Sequence, residues 1–219
     1  DDTDLDGVKA LLADAAEFDG YRALSDHLWL ELLHRDRTGF VAVLALDHAG
    51  ILGGYAQLAA GNMSTTVEVA IASNQRAGSE ELTQLLLRAA LDVVAADGGG
   101  QVHWWVHRPH ESADHMAAAV GMTRGRRLLQ LRRALPISDT TTVATRAFLV
   151  GRDEAEWLRV NNAAFHDHPE QGGWTADTLQ QREAEPWFDP AGFRLHERDG
   201  VLAAFCWTKI HRDTSPAMG

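Results

Sequence analysis

Residues 50–55 read Gly50-Ile51-Leu52-Gly53-Gly54-Tyr55, and residues 200–205 read Gly200-Val201-Leu202-Ala203-Ala204-Phe205. The two stretches match position by position at an offset of 150 residues: a glycine, a β-branched aliphatic, a leucine, two small residues and an aromatic ring. Gly39-Phe40 pairs in the same way with Gly192-Phe193, with a small change in loop length. In each copy an apolar run follows a glycine and is itself preceded by another apolar run, the pattern of a β-hairpin. A period this long is one compact domain and exceeds any solenoid unit. Since any hairpin can place a glycine before an apolar strand, the duplication rests equally on element order, which also restarts.

Working outward from the first copy, Leu5, Val8, Leu11, Leu12 and Ala15 recur at helical spacing, and Asp19-Gly20 breaks the run. Ser25 is a good N-cap for a second helix carrying Leu28, Leu32 and Leu33. The hairpin is predicted over Phe40–Leu46 and Ile51–Leu58, and the alternation of Val67, Val69 and Ile71 predicts a third strand. Gln75 to Ser79 form a polar loop. A long helix follows over Ser79–Ala96, with Leu82, Leu85, Leu86, Ala89 and Val93 on its inner face, and Gly98-Gly99-Gly100 ends it. Val102, Trp104 and Val106 alternate in a further strand that carries His103 and His107 on one face. A short helix over Glu111–Val120 stops at Gly121, and Leu128–Leu131 read as a closing strand. Pro136 to Thr142 make a linker of Pro, Ser, Asp and Thr. The order then restarts: a strand over Val143–Val150, a helix over Asp153–Phe165, a helix from Thr175 and the second hairpin. The expected division is a first domain at 1–135, a linker at 136–142 and the first half of a second domain at 143–219. By the repeat length the second copy would run about 70 residues past Gly219. The first copy shows no opening strand, and the chain starts on Asp1, so both ends read as cut.

Composition narrows the function classes. The 219 residues carry a net charge of −11, which disfavours a general nucleic-acid binder, and are 45% hydrophobic, too many for a disordered chain. Cys206, the single cysteine, excludes an intrachain disulfide, fits a reducing cytoplasm and reads as a buried small apolar residue. No stretch is long enough to span a bilayer, and no secretory leader is expected. A cytoplasmic, monomeric protein with neither membrane nor nucleic-acid partners is expected.

The element order resembles the GNAT acetyltransferase family, an α/β (α+β) fold, here as tandem domains with the second incomplete. In that family the loop between the fourth strand and the long helix reads Gln/Arg-x-x-Gly-x-Gly/Ala, and its backbone N–H groups hold the pyrophosphate of acetyl-CoA at a helix N-terminus. The matching stretch is Gln75-Arg76-Ala77-Gly78-Ser79-Glu80. The resemblance implies a cofactor-binding set of Val69, Ala70 and Ile71 on the strand and Arg76, Ala77, Gly78, Ser79, Glu80 and Glu81 on the loop. Gln75 and Gly78 fit. Glu80 stands where a small residue is expected, and its carboxylate repels a diphosphate, so the loop resembles a degenerate cofactor site. Glu80 and Glu81 also suit a helix N-terminus for structural reasons alone.

The second half carries longer motifs: Val160-Asn161-Asn162-Ala163-Ala164-Phe165, then His168-Pro169-Glu170-Gln171-Gly172-Gly173-Trp174-Thr175, then Trp187-Phe188-Asp189-Pro190, then Phe205-Cys206-Trp207-Thr208-Lys209-Ile210-His211. In this order and spacing they are similar to the mycothiol synthase family. That resemblance implies acetyl transfer from acetyl-CoA to the cysteine amine of cysteinyl-glucosaminyl-inositol, with those two molecules as partners and without a metal. An ammonium and many hydroxyls call for carboxylates and a cationic donor. Glu170 and Lys209 match substrate-binding positions of the family, and Asp26 aligns with a family Glu, one methylene longer. Each also has a plain reading, as a loop charge, a strand-end lysine and a first-turn helix acid. Trp174, Trp187 and Trp207 suit core or pocket wall. His166, Asp167, His168 and His211 lack the spacing of a known metal motif. In the family the base-side Glu, the main pyrophosphate loop and the Tyr acid come later and would follow Gly219, so catalytic residues are unassigned and the chain alone is expected to be inactive. Two other readings stay open: a non-catalytic CoA-binding or scaffold protein, and a GNAT enzyme for another small amine.

Overall fold

The computed structural model describes residues 2–33, 40–61, 63–168 and 172–210. Those residues form two compact units, one up to Arg127 and the other from Leu128 onward.

In the first unit, α1 (Asp2–Asp19) and α2 (Asp26–Leu33) precede the strands β1 (Val41–Leu46), β2 (Leu52–Ala60) and β3 (Ser64–Ile71). A 3-10 turn at Ser73–Gly78 leads into α3 (Ser79–Ala96), followed by β4 (Gln101–Trp104) and α4 (Glu111–Ala119). Sheet order is β1-β2-β3-β4, antiparallel except for the parallel pair β3 and β4. Strand alternation sorts the side chains: Tyr55, Ala59 and Ala70 face α1 and α2, while Ala56, Leu58, Val67 and Ile71 face α3. The turn at residues 47–50 is set by Asp47, whose carboxylate accepts the N–H groups of Ala49 and Ile51, and by Gly50 at φ +80°.

Several expectations need correcting. The inner stripe of α3 is Thr83, Leu86, Leu87 and Ala90. Leu85 is 61% exposed, because the helix is rotated so that Leu86 reaches under Gly54. The polar loop before α3 is itself helical, which packs its groups more tightly than an open loop would. Strand β4 stops at Trp104, so His107 is not on a strand with His103; Arg108 beyond it has φ +46°. Leu128–Leu131 form no strand, and Leu131 is 89% exposed. Apolar alternation stabilises a strand only where a sheet edge accepts its backbone, and this segment pairs with none among the described residues.

The second unit contains β5 (Arg146–Ala147), α5 (Glu154–Ala164), α6 (Ala176–Glu183), a 3-10 turn (Pro190–Gly192), β6 (Phe193–Arg198) and β7 (Val201–Trp207). Its sheet is antiparallel in the order β5-β6-β7. Of the strand expected over Val143–Val150, Arg146–Ala147 alone forms a strand among the described residues, and the Phe148 N–H extends its ladder by donating to the Phe193 carbonyl at 2.8 Å. Thr175 caps α6 by accepting the Thr178 N–H. One face packs Phe148, Trp157, Leu179, Phe193, Leu195 and Leu202 into a core. Cys206 is exposed, correcting the buried reading: it alternates away from the core-facing Phe205 and Trp207.

The two hairpins share an irregularity. Pairing in the first steps from Ala45↔Gly54 to Leu46↔Leu52, and in the second from His196↔Ala204 to Glu197↔Leu202. Each bulge therefore skips the residue just past the leucine, Gly53 or Ala203, and each turn glycine takes positive φ, +80° at Gly50 and +77° at Gly200.

Candidate functional site

In the first unit the site region lies where β3 parts from β4. The parallel pair runs from Ser64↔Gln101 to Val67↔Trp104, and its last link is the Trp105 N–H donating to the Val67 carbonyl at 3.1 Å. Beyond it β3 continues to Ile71 paired with β2 alone among the described residues. Strand alternation turns the backbone groups of Val69 and Ile71 the same way as those of Val67, into this opening. Ala70 differs: its backbone faces β2 opposite Tyr55 and its side chain is buried.

The loop that follows is held by acids on α1, which sequence reasoning did not find. Asp14 accepts both the backbone N–H and the hydroxyl of Ser73, each at 2.7 Å, and Asp19 pairs with Arg76 at 2.6 Å. The Ser73 backbone and hydroxyl hydrogen bonds hold the Asp14 carboxyl below its ordinary value. Arg76 also lies over the Phe18 ring at 5.1 Å. Glu80 and Glu81 are exposed in the first turn of α3, where they favour the helix dipole. Asp14 and Asp19 lie at ordinary helix positions, with no spacing that marks them. Asp26 opens α2, half-exposed, with Arg22 at 3.7 Å. Nearby, the buried Glu68 on β3 accepts the Ser25 N–H at 2.6 Å, which ties the start of α2 to the sheet.

In the second unit the quoted motifs converge on one aromatic cluster. Trp157 on α5 is buried and meets Trp174, Phe193, Phe205 and Trp207 edge-on. Trp207 stacks on Phe193 at 4.2 Å and lies 6.0 Å from Trp187. Lys209, two residues past β7, places its ammonium 4.5 Å from the centre of the Trp187 ring. Asn162 holds the backbone of Trp174 at both ends: its amide donates to the Trp174 carbonyl at 2.8 Å and its oxygen accepts the Trp174 N–H at 3.0 Å. The second Asn of the Asn161-Asn162 motif thereby gains a role that its spacing does not reveal. Glu170 lies outside the described residues, as does His211. His166 and Asp167 pair with each other at 2.8 Å on the surface, and no cluster of metal-binding side chains occurs among the described residues. No helix there is long and apolar enough to cross a membrane.

No protein-family model matches the chain. It is 40% identical to a mycothiol acetyltransferase of Streptomyces coelicolor over 95% of its own length and 68% of that relative's. It is 41% identical to a mycothiol acetyltransferase of Thermomonospora curvata, over 97% of this chain and 71% of that one. Among solved structures, a GCN5-related N-acetyltransferase from Sphaerobacter thermophilus superposes with a TM-score of 0.63 at 17% identity, over 96% of this chain and 70% of that one. That likeness establishes a GNAT-like α/β fold with mixed sheets.

Proposed function

We propose that this chain, which belongs to the mycothiol acetyltransferase family, serves transfer of acetyl from acetyl-CoA to the cysteine amine of cysteinyl-glucosaminyl-inositol, in the cytoplasm and as a monomer. It is an acetyl-CoA-dependent acetyltransferase of mycothiol biosynthesis. The observation that carries the acceptor reading is the Lys209 ammonium held over the wall of tryptophans that ends β7. A cation there suits the hydroxyl and carbonyl oxygens of a sugar–inositol acceptor, and Glu170 and Asp26 supply carboxylates for its ammonium and hydroxyls.

For acetyl-CoA, the opening beside Val69 and Ile71 offers strand N–H groups to the amides of an extended thiol-bearing arm. The loop Arg76, Ala77, Gly78, Ser79, Glu80 and Glu81 is the assigned diphosphate position, with Ala70 between them on the strand. This fit is partial: the Ser73 N–H is already given to Asp14, Arg76 to Asp19, and two carboxylates stand at the helix start. The first unit's loop is therefore a weakened site rather than the seat of chemistry. The matched bulges and turn glycines support two GNAT domains in tandem, 1–135 and from 143, joined by 136–142.

Steady-state kinetics of the natural full-length protein on a panel of small amines tests this reading. Cysteinyl-glucosaminyl-inositol should give the highest kcat/KM, and Glu170→Ala should raise its KM while leaving that for acetyl-CoA unchanged. Higher kcat/KM with an unrelated amine, together with an unchanged acceptor KM in Glu170→Ala, would overturn the acceptor assignment.

A further inference from the structure

Lysine is a poor positioner on its own, because its long stem carries more rotamer freedom than almost any other side chain. In the second unit, Lys209 is fixed at both ends. At its root, the neighbouring Thr208 gives its backbone N–H and its hydroxyl to the Gly192 carbonyl, at 3.1 and 2.8 Å. The contact is so close that a Cβ on residue 192 would stand 2.6 Å from the Thr208 hydroxyl, which fits glycine there. At its head, the ammonium lies over the face of Trp187 at 4.5 Å. The ring itself is set by a stack rooted in the buried core: Phe148 on Phe193 at 4.4 Å, Phe193 on Trp207 at 4.2 Å, and Trp207 against Trp187 at 6.0 Å.

We infer that Trp187 is a positioning residue that holds the Lys209 ammonium in place for the acceptor. The indole face attracts the charge through its quadrupole. Phe188, next in sequence, turns instead onto Trp207, meeting it edge-on at 5.8 Å. This inference rests on the reading of Lys209 as an acceptor-binding residue.

The test is steady-state kinetics of the natural full-length protein with Trp187→Leu, Trp187→Phe, Lys209→Met and the Trp187→Leu/Lys209→Met double variant, varying each substrate in turn. Trp187→Leu should raise the acceptor KM about three- to tenfold, with the acetyl-CoA KM unchanged, and Trp187→Phe should recover most of that loss. In the Lys209→Met background the Leu substitution should add less than about twofold, because its target is gone. A full additional loss there, or an equal rise in both KM values, overturns the inference and makes Trp187 a purely structural ring. If Lys209→Met leaves the acceptor KM unchanged, the acceptor role of Lys209 falls and the inference falls with it. If Lys209→Met raises it but Trp187→Leu does not, the inference alone fails.

Discussion

The polar side chains that matter most are those whose partners are not marked by helix or strand spacing. Asp153 shows this in the second unit. Sequence marks it as a helix start, yet its carboxylate is bound by Arg146 through two guanidinium nitrogens and also accepts the Leu149 N–H at 2.8 Å. Burial works to raise its pKa; the Arg146 hydrogen bonds, the Leu149 N–H and the nearby positive charge outweigh it, so the carboxyl sits below its usual value. Arg146 reaches Glu197 as well, tying β5 to β6 and to the start of α5. Asp153→Ala should destabilise this unit by about 1.5–3 kcal/mol, read from urea unfolding, because it leaves a guanidinium short of its partner. His107 gives a pH prediction. Burial lowers its pKa below the ordinary 6.5. The unfolded chain then takes up the proton first as pH falls, so His107 has no effect well above 6.5 and costs stability below it. Between about pH 7.5 and 5.5, the unfolding midpoint of the wild type should fall further than that of His107→Gln. At this scale the motif drew attention to Lys209, whereas Asp14, Asp19, Asn162 and the Trp187 contact were not legible, since each is defined by a partner that only the fold brings near.

Elements were more legible. The long helix was predicted with the bounds it adopts, Ser79–Ala96, because a serine start, eighteen residues of periodic leucine and alanine and three glycines all agree. Its rotation was not legible: several registers of a leucine-rich helix bury a similar apolar area, and the choice was made by Gly54, where a Cβ would sit 2.9 Å from a Leu86 methyl. Gly54→Val should therefore destabilise the first unit by about 1–3 kcal/mol, measured by thermal melting, as overpacking between β2 and α3. The matched bulges at Gly53 and Ala203 were anticipated only as aligned small residues. The same reading failed at Leu128–Leu131, whose strand pattern has no edge to join among the described residues.

For the whole molecule, composition excluded more than it identified. The first unit closes at Arg127, a few residues before the Pro-Ser-Thr stretch that composition marked as a linker. The exposed segment between holds Arg132 and Arg133, with Arg124, Arg126 and Arg127 just before it, and no helix or strand runs through residues 123–135. Limited trypsin digestion should cut there first and leave two protected pieces, each with its own core. The functional assignment rests on kinship over 95% of the chain together with the aromatic wall bearing Lys209. Mass spectrometry of cysteinyl-glucosaminyl-inositol after incubation with acetyl-CoA and the natural full-length protein tests it most directly. The account predicts a product heavier by one acetyl group, carried on the cysteine nitrogen with the thiol still free; acceptor recovered unchanged would contradict it.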